Sequence, residues 1–155
     1  MSLTNNISIR IISTLTGTSG VAEVSATVNK QISSMLAGAD TMYTVNGETP
    51  AEPFANVYDL ADASLSNPLG VAVELGTVGM IYFKNTSENA MTFGGGADDI
   101  AVLENGILVP AGGVVLLLGS YAVGVDADQI TVTGTAAGDG YDLVIIGGDA
   151  PATEE

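Results

Sequence analysis

The side chains of this sequence that can do chemistry are carboxylates and little else. Eighteen Asp and Glu stand against three basic residues, Arg10, Lys30 and Lys84, and His, Cys and Trp are absent. A Ser-His-Asp triad, a Cys-His dyad and a His-containing zinc site each need a residue type that the chain lacks. Lys30 and Lys84 both stand in alternating, strand-like contexts. Paired carboxylates can run glycoside hydrolysis, but sugar sites draw on aromatic platforms, and aromatic residues make up only 5% of the chain. No pair of carboxylates stands in visibly divergent environments, as an acid and a base would. The expectation is a protein that is not an enzyme and holds no cofactor.

The acidic residues do gather in turn-like segments: Asp98 and Asp99 in GGGADD, Asp126 and Asp128 in VDADQ, and Asp139 with Asp142 in GDGYD. Calcium takes carboxylate and backbone oxygens from flexible loops. Asp98, Asp99, Asp126, Asp128 and Asp139 are therefore the metal candidates. No segment completes the twelve-residue calcium-loop pattern through its final Glu. Asp also favours turns for its own reason, since its side chain hydrogen-bonds backbone two residues on. Solvent-exposed turn Asp is the simpler reading. The GGGADD segment lacks the strand-to-helix setting of a phosphate loop, and its two carboxylates would repel a phosphate. Asn85-Thr86-Ser87 fits the glycosylation sequon, a pattern short enough to arise by chance.

A net charge of −15 excludes other partners. Nucleic-acid binding needs Lys and Arg to displace counterions from phosphates, and an anionic membrane surface makes the same demand. Three scattered cations meet neither. A field of this sign keeps free subunits soluble and favours cationic partners or divalent ions. The start, MSLTNNISIRIISTLTG, does not read as a classical secretory signal, because Arg10 interrupts its apolar run. The longest apolar stretch, Val114 to Val125, is broken by Gly119, Ser120 and Gly124 and is too short to span a bilayer. Synthesis in a cytoplasm is the expectation. The lack of Cys leaves the redox compartment open.

The elements that would position these loops are strands. Hydrophobic residues are 46% of the 155 and charged residues 14%, with 20 glycines, a composition suited to a real core with many tight turns. In VAEVSATVNKQI, Ala22, Val24, Ala26, Val28 and Ile32 alternate with polar residues, a half-buried strand template. A helix competes there, because Val24, Val28, Ile32 and Leu36 recur every four residues. The run of Val, Thr and Ser favours the strand. From Gly70 onward short strand candidates come quickly: VAVEL, GMIYFKN, AMTF, AVLE, ILVP, VVLLLG, YAVGV, QITVTG and YDLVIIG. Asn46-Gly47, Asn105-Gly106 and Asp139-Gly140 carry the chemistry of two-residue hairpin turns. The fold class read from this pattern is all-β, an antiparallel sandwich or barrel, with strand order not readable from alternation. Residues 1–69, richer in Ser, Thr and Asn, read as an extended arm or as further strands. Residues 70–148 read as the core and 149–155 as an acidic tail.

VVLLLG is a continuous apolar run, which a strand covered on both faces requires. Val114, Val115, Leu116, Leu117 and Leu118 are therefore the candidate interface of a symmetric homo-oligomer; a central strand of a monomer is the competing reading.

The C-terminal half resembles a recurrent pattern in small tailed-phage virion proteins. The segments that carry it are GMIYFKNTSENAMTFGGG, ILVPAGGVVLLL and YAVGVDADQITVTGTAAGDGYDLVIIG, over roughly residues 77–147. The resemblance implies a jelly-roll-like sandwich that serves as a decoration, cement or minor capsid protein in many symmetric copies. It implies self-association, docking on a capsid or other virion protein, a location in the virion, and no catalytic residues. A surface-displayed or secreted β-sandwich that binds carbohydrate with calcium is the alternative.

Overall fold

Alternating β-branched and polar residues favour extended chain, and among the described residues the computed structural model is all-β apart from one short 3-10 turn. It describes residues 9–17 and 20–28 as backbone, and residues 41–62, 64–67, 69–124 and 126–149. Strands β1 (Ile9–Gly17) and β2 (Gly20–Val28) form a two-stranded antiparallel ladder. Then come β3 (Thr41–Glu48), β4 (Ala55–Asp59), β5 (Leu65–Ser66), β6 (Ala72–Val73), β7 (Leu75–Asn85) and β8 (Met91–Phe93). A 3-10 turn at Ala101–Leu103 precedes β9 (Ile107–Val109), β10 (Val114–Ala122), β11 (Gln129–Thr133) and β12 (Gly140–Asp149).

Two antiparallel four-stranded sheets carry the molecule, in the orders β10-β7-β12-β3 and β4-β11-β8-β9. The short strands β5 and β6 pair with each other, and their Leu65 and Val73 are buried in the core. Among the eight main strands the first pairs with the last, β3 with β12. The second pairs with the seventh, β4 with β11, the third with the sixth, β7 with β10, and β8 with β9 closes the series. This is one long antiparallel ribbon, rolled until β7 also meets β12 and β8 also meets β11. Such a roll is the eight-stranded jelly roll.

Between the sheets lies one apolar core. Ile81 and Phe83 of β7 and Leu143 and Ile145 of β12 meet Met91 and Phe93 of β8 and Ile130 and Val132 of β11. Phe83 stacks on Phe93, ring centroids 4.5 Å apart and 8° from parallel. Each of these strands contributes alternate residues, as a pleated strand with one face inward must.

The stretch where strand and helix competed is strand over Gly20–Val28; residues 29–32 lie outside the described residues. The turn expectations need correction. Asn46-Gly47 is inside β3, where Gly47 pairs with Tyr141. A Cβ there would land on the Tyr141 ring, so the glycine serves close approach, not a turn. The AVLE segment is largely the 3-10 turn, and Gly106, with φ of 64°, ends the loop that returns to β9. Between β11 and β12 the positive φ falls on Gly138, and the two strands belong to different sheets. The reason is topological: among the eight main strands only β8 and β9 are neighbours in both sequence and sheet, so most turns cross between sheets. Residues 41–59 supply β3 and β4, one strand to each sheet.

Candidate functional site

β10 alternates its apolar run between two environments. Val115 and Leu117 pair with Phe83 and Ile81 of β7 and pack against the core. Leu116 and Leu118 pair with Tyr82 and Met80 and join a second apolar cluster on the opposite face of the same sheet. Val114 is 54% exposed. The five residues of the candidate interface are thus split between faces, and Val115 and Leu117 belong to the inside of the sandwich.

The second cluster extends across all four strands. Register aligns Leu118, Met80, Ile146 and Met42 in one row and Leu116, Tyr82, Val144 and Thr44 in the next. Met80 and Ile146 at the centre are 7% and 5% exposed, ringed by half-buried Met42, Tyr82, Leu116, Leu118 and Val144. A polar row ends the apolar surface, with Val114, Lys84, Asp142 and Asn46 in register. There the Asn46 Nδ2 donates to Asp142 Oδ1 at 2.7 Å. No member of this second cluster is among the exposed large hydrophobics of the described residues, which are Val57, Leu69, Val71, Leu108 and Val114. Only the β10 part of the cluster was expected. Continuous apolar runs also mark Met80–Phe83 and Leu143–Ile146, but Met42 carries no such signal and no run shows which residues share a face.

The metal candidates do not converge. Asp98, Asp126 and Asp128 lie around the start of β11, where Asp128 N and Gln129 N both donate to the Asp98 carbonyl at 3.0 Å. Asp59 of β4 joins them through its pairing with Gln129, a member no local motif signalled. Burial, then the charges of Asp59, Asp98 and Asp126, push the Asp128 carboxyl up, while its own backbone pulls it down. Asp99 is buried and already engaged. Its Oδ2 accepts from Gly96 N and its Oδ1 from Thr131 Oγ1, both at 2.8 Å. Asp139 stands at the other end of β11. Its Oδ1 accepts from Asn89 Nδ2 at 2.8 Å, and its Oδ2 from Thr135 N at 2.8 Å, Ala136 N at 3.0 Å and Thr135 Oγ1 at 3.3 Å. Among the described residues no group of three or more acidic side chains is placed to hold a metal ion.

The remaining motifs are structural. In GGGADD, Gly94 N and Gly95 N donate to the carbonyls of Thr131 and Leu103, and Asp99 takes the Gly96 N–H that an anion would need. Asn85 of the sequon is buried, with Nδ2 donating to the carbonyls of Asn89, Val109 and Pro110. An amide so placed is closed to glycosylation in the folded chain. Tyr58 and Tyr141 join the two sheets through their hydroxyls, and Asn56 Nδ2 donates to Tyr141 Oη at 2.6 Å. Burial pushes both phenols up, so they stay neutral and serve as a polar tie in the core. No family model, curated protein or solved structure matches the chain.

Proposed function

We propose that this protein is a non-catalytic structural component of a virion, a decoration, cement or minor capsid protein that self-associates and docks on a protein shell. The observation that carries the reading is the apolar outer face of the β10-β7-β12-β3 sheet, centred on Met80 and Ile146. Apolar area removed from water contributes about 25 cal/mol per Å², and the half-buried Met42, Tyr82, Leu116, Leu118 and Val144 retain area that a contact between copies would cover. The −15 charge sets a repulsion between free subunits that limits premature aggregation. The jelly-roll order of the sheets and the resemblance of residues 77–147 to small tailed-phage virion proteins support the same reading. The engaged carboxylates of Asp99 and Asp139 give the calcium-dependent binding module no comparable support.

The test is mass spectrometry of purified particles from a producing host. The chain is expected in the particle fraction at many copies, and a Leu118→Asp variant that folds is expected to be lost from it. Absence of the native chain from every particle sinks the reading.

A further inference from the structure

β10 stands at the end of its sheet, and among the described residues it pairs with β7 alone. The Asn85 N–H donates to the Gly113 carbonyl at 2.9 Å, one step along the register from Val114 and Lys84. In an antiparallel ladder, opposite residues alternate between pairs that exchange both backbone bonds and pairs that exchange none. Val115 and Leu117 therefore bond to Phe83 and Ile81 of β7, while the N–H and C=O groups of Val114, Leu116 and Leu118 point away from the sheet. Those outward groups have no backbone partner among the described residues.

Proteins guard such edges by keeping them short or by placing charges, Pro or bulges in them. The other edge strands of the two sheets are guarded in this way. β9 has three residues and runs into Pro110, β4 has five and ends in Asp59, and β3 ends in Glu48. β10 has nine residues with no charge and no Pro, and its one irregularity is the register shift after Leu118. In a chain of net charge −15, it is a strand that a second copy of itself can meet with no like charges opposed across the ladder.

We propose that β10 pairs antiparallel with β10 of a second copy across a twofold axis at Leu116, joining two β10-β7-β12-β3 sheets into one. The inference rests on the reading of this chain as a self-associating protein and names the contact as a strand edge. The outward groups set the register, because they can bond only to outward groups of the second copy. Centring on Leu116 uses all of them: Leu116 meets Leu116, and Val114 meets Leu118 in both directions, each pairing exchanging both backbone bonds. Centring on Val115 or Leu117 instead opposes Leu118 to Gly112 in the turn before β10, or Val114 to Ser120 past the register shift. The Leu116 register also continues the outer apolar rows. Thr44, Val144, Tyr82 and Leu116 meet the same row of the second copy end to end, and the exposed Val114 comes to lie beside Leu118. The contact is isologous and closes as a dimer.

The chain has no Cys, so Leu116→Cys introduces a unique thiol. Opposite residues that exchange backbone bonds lie about 5.5 Å apart between Cα atoms, a separation that a disulfide spans. Under mild oxidation Leu116→Cys is expected to give a dimer linked from 116 to 116, read by intact mass and peptide mapping. It should form roughly tenfold or more faster than the dimer of Leu108→Cys, an exposed position on β9 that meets its copy only by collision. Two further measurements cover a failure of that variant to fold. In the native chain, amide hydrogen exchange at Val114, Leu116 and Leu118 should slow as concentration rises. Val114→Pro removes an outward N–H at the first residue of the strand, where Pro is tolerated. It should weaken dimerisation on the order of tenfold, since the bond is lost in both copies. A native chain that sedimentation shows to be oligomeric, with no such protection and no 116-to-116 link, overturns the edge pairing but leaves self-association standing. A chain that stays monomeric at all concentrations removes both, and protection of the same amides only in purified particles then assigns the edge to a strand of the shell.

Discussion

Asp139 shows how far the residue scale departs from the expected role of an acidic turn residue. Four donors surround its carboxylate, led by the Asn89 amide and the Thr135 backbone, and they hold its pKa below the ordinary 3.8 against the opposing effect of burial. Thr49, which receives the Asp139 N–H on its Oγ1 and donates to the Ala136 carbonyl, ties the loop to the end of β3. A hydrogen bond to a charged group is worth about 1.5–3 kcal/mol. Asp139→Asn keeps the shape but presents an amide N–H to donors, and it should lower unfolding free energy by about 2–3 kcal/mol at pH 7, read from urea midpoints. The folded pKa is depressed, so this contribution is complete above the unfolded value of 3.8 and disappears as pH falls through the lower folded value. The gap between wild type and variant should therefore narrow below pH 3.8; a gap that does not change with pH excludes the charge as its cause. Asp128 has the opposite sign. Its raised carboxyl disfavours folding at neutral pH and is relieved as pH falls. Asp128→Asn should raise the melting temperature slightly, and added NaCl should reduce that difference by screening Asp59, Asp98 and Asp126.

At the scale of one element, β10 stands in two environments at alternate positions. Leu117 packs in the core and Leu118 in the outer cluster, so the same substitution at adjacent residues separates folding from association. Leu117→Asp buries a charge without a partner and should cost more than about 4 kcal/mol, with loss of cooperative unfolding. Leu118→Asp should leave a cooperative transition and shift light scattering toward the monomer. If both variants unfold alike, the outer face is part of the subunit's own stability. β3 offers a further check. Gly47→Ala places a methyl against the Tyr141 ring, and overpacking of that kind costs about 1–3 kcal/mol. Asn46→Ala on the outward row should change stability far less, since its bond to Asp142 is exposed.

For the whole molecule, the acidic surface and the apolar sheet face set opposing tendencies. Long-range repulsion from −15 charges weakens as salt rises, with a screening length near 10 Å at 0.1 M, while apolar burial does not weaken. Self-association should therefore strengthen between 20 mM and 500 mM NaCl on the order of tenfold or more in dissociation constant, measured by sedimentation equilibrium. Association that falls with salt would place ion pairs, not the apolar face, at the contact. Calcium at equal ionic strength should give no melting shift beyond that of NaCl, because the Asp99 and Asp139 carboxylates are already held by protein donors. A chelator-reversible rise would restore the binding-module reading.

Period-two alternation and β-branched composition act locally, so the all-β class, most strands of the core and the apolar run of β10 are legible in the chain before it folds. The sequence shows the carboxylates but not their engagement: Asp139 meets Asn89, and Asp99 meets Thr131, across long stretches of chain. The pairing of first strand with last, and with it the jelly roll, depends on contacts between residues far apart in the chain. Asn46-Gly47 carried turn chemistry that the fold overrode, since β12 and the Tyr141 ring occupy the space beside it. The outer sheet face likewise became visible only when register placed Met42, Met80, Leu118 and Ile146 side by side, for no segment of the chain contains more than one of them. Local patterning fixes which residues can face an apolar surface; long-range pairing fixes which of them share it.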